Sequence, residues 1–125
     1  VEKARKVNAG AIAEGRCNVQ QASVAELPFE AEQFDVATAF ETVYFWPELA
    51  QNFREVYRVL KPGGTFFICN EANGETTKDD KWTQIINGMT IYTDADLKVY
   101  LEQAGFCKIQ SHKNKKGWLC VTAQK

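Results

Sequence analysis

Hydrophobic positions in the middle of the chain follow three consecutive patterns. Residues 34–40 are apolar at all but two positions, and residues 65–69 are nearly all apolar or β-branched. Between these runs, apolar residues recur at the spacing of one helical face, at Leu49, Phe53, Val56 and Leu60. This spacing predicts a helix with one buried stripe, and the flanking runs predict parallel strands that helices cover on both faces. The middle of the chain is therefore predicted to be a βαβ unit.

The ends of this helix and of the two strands indicate where a ligand site is expected. Pro62 is expected to stop the helix, and Gly63 and Gly64 permit a sharp turn into the second strand. Parallel strands place their ligand sites beyond their carboxyl ends. The residues that follow Phe40 and Cys69 are therefore the first candidates for a functional site.

Weaker patterns precede the βαβ unit. Residues 1–13 predict a helix with small apolar residues on one side and basic residues on the other, and Gly15 is expected to end it. Residues 18–23 are a candidate for a short strand, and residues 24–27 for one helical turn. The chain begins inside a helical pattern without a cap or an initiator methionine, so we expect further residues upstream.

The pattern after the βαβ unit is looser and then regains its periodicity. Residues 73–80 are predicted to be a polar loop or the frayed start of a helix. A short amphipathic helix is expected next, over Trp82, Ile85, Ile86 and Met89. Thr93 and Gly105 are suitable caps for a further helix, whose buried face would comprise Leu97, Tyr100, Leu101 and Ala104.

Two apolar runs close the chain, over residues 106–111 and 118–123. The connection between them is too short for a crossover, so these strands are predicted to pair antiparallel. Residues 1–125 are thus predicted to form one α/β domain, with a mostly parallel sheet and an antiparallel C-terminal hairpin.

Composition and charge narrow the functional classes. The 125 residues are 45% hydrophobic and 25% charged, as in one ordinary globular domain. A net charge of −1 gives no electrostatic reason to expect nucleic acid or an anionic membrane as a partner. No apolar run approaches the roughly 20 residues that span a bilayer, and there is no signal-peptide pattern. The four cysteines form no CxxC pair and are expected to be buried free thiols in a reducing cytoplasm.

Several segments, taken in order, resemble those of class I S-adenosylmethionine-dependent methyltransferases. Residues 22–29, Ala-Ser-Val-Ala-Glu-Leu-Pro-Phe, are similar to the segment after the third strand of that family. Residues 34–36 resemble the start of the family's fourth strand. Residues 60–64, Leu-Lys-Pro-Gly-Gly, resemble the turn before its fifth strand, and residues 101–106 resemble the turn before its sixth strand. The resemblance implies a Rossmann-like methyltransferase fold, S-adenosylmethionine as cofactor and methyl transfer to a small-molecule acceptor.

The chain also departs from that family. Its first strand with the glycine-rich loop, and its second strand with the acidic ribose-binding residue, have no counterpart here. Without these N-terminal strands the sheet would have an exposed edge, which upstream residues or a second copy in a homodimer would cover. A truncated, non-catalytic fold that self-associates and binds no cofactor is therefore the alternative. A nicotinamide-dependent dehydrogenase ranks below both, because residues 60–64 precede a strand and not a helix.

The resemblance also implies roles for residues on the cofactor side. Ser23 stands where the family usually has an aspartate bonded to the adenine amine, and the backbone N–H of Val24 would face the adenine ring. Ala39 and Phe40 end the predicted first strand of the βαβ unit, where backbone contacts to the methionine part of the cofactor are implied.

Candidate residues for the reaction itself follow the two strands. Glu41 and Glu71 form a candidate carboxylate pair that orients a nucleophile or acts as a base, although Glu41 has an equal claim to be a solvated or capping residue. Tyr44 and Trp46 are candidates for a substrate pocket; the alternative for the aromatic cluster is that it packs the loop down. Residues 72–92 are the candidate lid. Methyl transfer from a sulfonium needs no metal, so no metal site is expected.

Overall fold

The computed structural model of the chain describes residues 1–75 and 79–125. A four-stranded sheet in the order β1-β2-β4-β3 forms its centre. The strands are β1 (Phe34–Phe40), β2 (Leu60–Asn70), β3 (Cys107–Lys113) and β4 (Leu119–Gln124). The helices are α1 (Glu2–Val7), α2 (Ala9–Ala13), α3 (Leu49–Val59), α4 (Asp80–Ile85) and α5 (Asp94–Ala104), with a 3₁₀ turn at Val43–Phe45.

The predicted βαβ unit is confirmed. Strands β1 and β2 pair in parallel, with Ala37 opposite Phe66 and Ala39 opposite Ile68. Helix α3 connects them and buries its apolar stripe against the sheet. The carboxyl ends of β1 and β2 therefore lie side by side at one edge of the sheet, as parallel strands require.

The helix ends earlier than expected. Leu60 is already extended, with φ −77° and ψ 140°, so α3 stops at Val59 and not at Pro62. A proline disfavours helical backbone in the residue before it. Pro62 lies within β2, next to an irregularity in the pairing of β2 with β1. A Cβ on Gly64 would lie 2.8 Å from the carbonyl oxygen of Lys61, so only glycine fits this close approach.

The core lies between one face of the sheet and helices α3 and α5. Side chains that point to this face alternate with outward ones along β2 and β4. The largest fully buried apolar side chains are Val43, Phe53, Leu60, Phe66, Ile68, Leu97, Leu101, Leu119 and Val121.

The expectation that helices cover both faces of the strands is wrong for the described residues. Helices α3 and α5 pack on the face that carries Ala39 and Ile68. On the opposite face, Val36 and Phe40 remain 58% and 57% exposed. The apolar run of β1 therefore reflects a strand with one buried and one open apolar face.

The amino-terminal predictions need correction. The helix expected over residues 1–13 is broken at Asn8 into α1 and α2, and neither half buries a side chain. Residues 18–23 form no extended strand, because no strand within the described ranges completes a ladder with them; an isolated bridge joins Ser23 to Glu26. In place of a helical turn over residues 24–27, Val24 and Ala25 form a turn between the two residues of this bridge.

The carboxyl-terminal predictions are confirmed. Thr93 caps α5 in a capping box with Asp96, and Gly105 adopts the left-handed backbone at the other end, with φ 103°. Strands β3 and β4 pair antiparallel, and β4 lies between β2 and β3. Tyr100 is half-buried and packs edge-to-face against Tyr92.

Two further expectations concern the loop after β2 and the cysteines. Residues 76–78 of the predicted polar loop lie outside the described residues; beside them, the carboxylate of Asp79 accepts hydrogen bonds from the N–H groups of Asn73 and Gly74. All four cysteines are free, but they are not buried: Cys107 is exposed and the others are half-buried. Within the described ranges, no helix has both the length and the apolar character that a membrane span requires.

Candidate active site

A cleft of about 250 Å³ opens at the carboxyl ends of β1 and β2. This is the position that parallel sheets favour for ligands. Its walls come from the loops after both strands and from α4 with the residues that follow it. The lining residues are Glu41, Tyr44, Phe45, Glu71, Ala72, Trp82, Ile86 and Met89.

The two candidate carboxylates lie together in this cleft. The N–H of Glu41 donates to the carbonyl oxygen of Cys69 at 3.0 Å, continuing the β1–β2 ladder by one residue. Oε1 of Glu41 then accepts from the N–H of Glu71 at 2.5 Å. Glu41 also has a left-handed backbone, with φ 56°, which costs a non-glycine residue of order 1–3 kcal/mol. The surrounding hydrogen bonds therefore hold the Glu41 backbone in this conformation and its side chain in a defined position.

Tyr44 fastens the loop after β1 to the loop after β2. Its hydroxyl oxygen accepts from the N–H of Ala72 at 2.9 Å, and the hydroxyl donates to the carbonyl oxygen of Ala72 at 3.3 Å. The residue is 2% exposed. Burial raises the pKa of Tyr44 well above its ordinary value, and the nearby carboxylates of Glu41 and Asp79 raise it further. Tyr44 is thus a neutral hydroxyl that positions the cleft wall and does not serve as a base at neutral pH.

An apolar wall faces the carboxylates. Phe45 and Trp82 contribute half-exposed aromatic rings, and Ile86 and Met89 contribute aliphatic and thioether surface. The N–H of Thr90 donates to the carbonyl oxygen of Tyr44 at 2.9 Å, which ties the segment after α4 to the 3₁₀ turn. The cleft therefore combines negative charge on one side with apolar surface on the other.

Trp46 is not among the residues that line the cleft, and its place in a substrate pocket stays a prediction. Its ring stacks on Phe66 with centroids 6.3 Å apart and meets Phe53 edge-to-face at 6.0 Å. The 3₁₀ turn directs neighbouring side chains to different sides, so Trp46 packs the loop onto the core while Phe45 faces the cleft. Trp82 supplies the indole of the cleft wall, and the amphipathic pattern around it was the available sequence signal.

The candidate cofactor residues do not all lie near the cleft. Ala39 and Phe40 immediately precede Glu41, so their backbone lies at the rim of the cleft; the Ala39 side chain is buried, and the exposed Phe40 ring packs against Phe67 at 5.6 Å. Ser23 accepts from the N–H of Ala25 within its own turn. Val24 packs against the core. The structure does not place Ser23 or Val24 among the cleft-lining residues.

The segment after Val24 runs to the opposite end of β1. The Arg58 guanidinium donates to the carbonyl oxygens of Phe29 and Leu27 at 2.9 and 3.1 Å, and Phe29 packs edge-to-face on Phe34, the first residue of β1. Leu27 and Phe29 thus anchor this segment to the fold, far from the cleft. No three His, Cys, Asp or Glu side chains within residues 1–75 and 79–125 cluster so that they can hold a metal ion.

Comparison with known proteins assigns the family. The family model described as "Methyltransferase domain" matches residues 1–68, which is more than half of the 125 residues. The chain belongs to this methyltransferase domain family, and its fold is the Rossmann-like fold of class I S-adenosylmethionine-dependent methyltransferases.

Relatives include sterol 4-C-methyltransferase strm-1 of Caenorhabditis elegans, 42% identical over 67 residues that are 53% of this chain and 20% of that protein. 24-methylenesterol C-methyltransferase 3 of Arabidopsis thaliana is 28% identical over 115 residues, which are 85% of this chain and 32% of that protein. The chain therefore spans about a third or less of the length of these curated relatives.

A solved structure supports the fold assignment. The S-adenosylmethionine-dependent methyltransferase SibL in its apo form matches with a TM-score of 0.80 at 20% identity, over 99% of this chain and 40% of that chain. At this identity the similarity concerns the fold alone.

Within the described residues, the end of β1 is open to a ligand such as S-adenosylmethionine. Phe40 presents a 57% exposed ring next to Glu41, on a strand whose outer edge has no neighbouring strand within the described ranges. A ligand can therefore reach the end of β1.

Proposed function

We propose that this chain carries the acceptor side of an S-adenosylmethionine-dependent C-methyltransferase that methylates an apolar small molecule. The observation that carries the proposal is the cleft in which Glu41 and Glu71 face an apolar wall at adjacent strand ends. The names of the two relatives, both sterol C-methyltransferases, support carbon as the atom that is methylated.

S-adenosylmethionine, when bound, supplies the methyl group, and Ala39 and Phe40 would contact it at the end of β1. Ser23 and Val24 stay predictions for the adenine side. Phe45 and Trp82 bind the apolar acceptor and exclude water from the reacting carbon. Either carboxylate stabilises positive charge that develops on the acceptor and accepts the proton that leaves its carbon after the new carbon–carbon bond has formed.

The function is tested in two steps. Titration calorimetry of S-adenosylmethionine and S-adenosylhomocysteine into the chain should give binding that Phe40→Ala weakens. The chain is then incubated with methyl-labelled cofactor and a sterol, with a water-soluble catechol as the control acceptor. We expect the label in the sterol fraction, and Glu71→Gln should lower its amount. Cofactor binding without any labelled sterol would contradict the acceptor class, whereas absence of cofactor binding would contradict methyl transfer by this chain.

A second candidate function rests on the open edge of the sheet. We propose that β1 pairs with β1 of a second copy, because its outer edge has no neighbouring strand within the described ranges and Val36 and Phe40 are exposed beside it. In this homodimer the fold would serve association and not catalysis. Light scattering should give about twice the 14.1 kDa chain mass, and a Val36→Lys variant should be monomeric. A monomeric wild-type chain would exclude the dimer.

The cysteines also bear on where the chain is located in the cell. We place the chain in the cytoplasm, because its four cysteines are all free thiols, which reducing compartments preserve.

A further inference from the structure

Two cysteines that are far apart in sequence meet on the open face of the sheet. Cys69 in β2 and Cys120 in β4 are direct partners in the antiparallel ladder. Their Sγ atoms are 3.4 Å apart, although 51 positions separate them along the chain. Both thiols are free and half-buried, on the face that α3 and α5 leave open.

This arrangement is close to that of a disulfide. A disulfide needs an S–S distance of about 2.05 Å, so the two sulfur atoms have to approach by only about 1.4 Å. Directly opposed residues of an antiparallel pair have Cβ atoms roughly 4.5–5.5 Å apart, which is near the range that a disulfide accepts. Side-chain rotation with a small strand adjustment therefore suffices to join Cys69 and Cys120.

We propose that Cys69 and Cys120 form a redox-active dithiol that a hydroperoxide converts to a cross-strand disulfide. The thiolate of one cysteine attacks the peroxide O–O bond, giving a sulfenic acid and, for hydrogen peroxide, water once the leaving hydroxide has taken the thiol proton. The second thiol attacks the sulfenic sulfur, the S–S bond forms, and hydroxide leaves with the second proton as another water. The two thiols lose two electrons in total, and the peroxide gains them.

The surroundings assign the first step to Cys120. Burial, and then the adjacent Cys120 thiol, raise the pKa of Cys69 to about 11, so the Cys69 thiolate is scarce at neutral pH. His112 is the ladder partner of Cys120 on β3, so the two side chains are cross-strand neighbours on the same face of the sheet. The imidazole can accept the Cys120 proton as the attack begins. Cys69 then acts as the resolving thiol.

The dithiol does not depend on the methyl-transfer proposal, but it adjoins the cleft. The carbonyl oxygen of Cys69 accepts the hydrogen bond from the N–H of Glu41. A disulfide at this position would join β2 to β4 two residues before Glu71.

Peptide mapping after mild oxidation tests the proposal. The reduced chain is treated with hydrogen peroxide at low molar excess, remaining thiols are alkylated, and the digest is analysed by mass spectrometry. We expect a mass loss of about 2 Da and one cross-linked peptide pair containing Cys69 and Cys120, reversed by dithiothreitol. Cys17 and Cys107 should carry the alkyl label. Labelled Cys69 and Cys120 alongside an oxidised Cys107 would overturn the proposal.

Variants test the assigned order of attack. Cys69→Ser should accumulate a sulfenic acid at Cys120 that dimedone traps, whereas Cys120→Ser should give several-fold less adduct at Cys69. His112→Asn should slow disulfide formation, and Cys107→Ser, which changes an exposed thiol elsewhere, should leave it unchanged. Equal adduct yields in the two single variants would contradict Cys120 as the attacking thiol.

A further probe needs no variant and so does not depend on variant folding. Phenylarsine oxide joins two adjacent thiols through one arsenic atom with loss of one water. The wild-type chain should take up one equivalent, mapped to Cys69 and Cys120, and a chain oxidised beforehand should take up none. An adduct at any other pair of cysteines would contradict the proposed dithiol.

Discussion

Oε1 of Glu41 accepts a hydrogen bond from the backbone N–H of Glu71 at 2.5 Å. A side chain at the end of β1 thus fixes the first residue after β2, and the two carboxyl-bearing residues are held at one rim of the cleft. This contact joins residues that are 30 positions apart in sequence. Because this contact needs only an oxygen acceptor, a substitution can remove the charge of Glu41 and still keep its side chain in position.

Glu41→Gln removes the charge and retains an oxygen that can accept from the Glu71 N–H. We expect the free energy of unfolding to change by less than about 0.5 kcal/mol and methyl transfer to fall by about 100-fold, the lower range for loss of an acid–base group. Glu48→Gln is the matched control, because Glu48 is also an exposed glutamate with a left-handed backbone. Denaturant titration and the labelled-methyl assay measure both effects; a fully active Glu41→Gln variant would remove the carboxylate from the mechanism.

Tyr44→Phe removes both hydrogen bonds to Ala72 and leaves the buried backbone groups of Ala72 without this partner. We expect a loss of about 1–3 kcal/mol in the free energy of unfolding, measured by denaturant titration. Tyr57→Phe is the control, since Tyr57 packs through its ring on Phe106. Equal stability losses in the two variants would show that the hydrogen bonds between Tyr44 and Ala72 add nothing to the free energy of unfolding.

The raised pKa of Tyr44 also predicts a pH dependence of stability. The folded chain keeps the Tyr44 proton to a higher pH than the unfolded chain, in which the hydroxyl titrates near 10.0. Its contribution is therefore complete below pH 10 and is lost progressively as the pH rises above that value. Comparing wild type with Tyr44→Phe at pH 8 to 11 isolates this effect from other titrating groups. The stability difference between them should shrink above pH 10; a constant difference would contradict the assignment.

The two tryptophans near the cleft are expected to behave oppositely. Trp46→Ala should cost about 3 kcal/mol in unfolding free energy, because the ring packs between Phe53 and Phe66. Trp82→Ala should leave stability nearly unchanged, since this residue is 50% exposed, but should weaken binding of an apolar acceptor. Thermal unfolding and acceptor titration measure these effects for the two variants. A stable Trp46→Ala variant with impaired acceptor binding would indicate that Trp46 belongs to the substrate pocket.

Asn70, at the end of β2, is fully buried, and its amide has no hydrogen-bond partner among the described residues. Such a group costs about 1–3 kcal/mol, so Asn70→Leu, of similar shape, should raise the unfolding free energy by about 1 kcal/mol. Asn52→Leu is the contrasting variant, because the Asn52 amide donates to the carbonyl oxygen of Pro47. It should be destabilising. A destabilised Asn70→Leu chain would indicate that the Asn70 amide has a favourable partner in solution.

Local signals along the chain were enough to predict several elements. The helical spacing of Leu49, Phe53 and Val56 predicted α3, and Thr93 and Gly105 marked the ends of α5. These predictions succeed because hydrophobic period and capping chemistry act within a few residues. The order of the family-like segments also predicted the methyltransferase fold.

Which side chains touch is a property of the tertiary structure. The thiol contact between Cys69 and Cys120 joins residues 51 positions apart and has no local pattern. The sequence predicted Glu41 and Glu71 as a pair after neighbouring strands, but not the hydrogen bond that the Glu71 N–H donates to the Glu41 carboxylate across 30 positions. Both follow from strand order and register, in which a shift of one residue would turn each side chain to the other face. The same geometry sends Trp46 to the core and leaves residues 18–23 without a ladder, because a strand forms only where another strand offers its backbone hydrogen bonds.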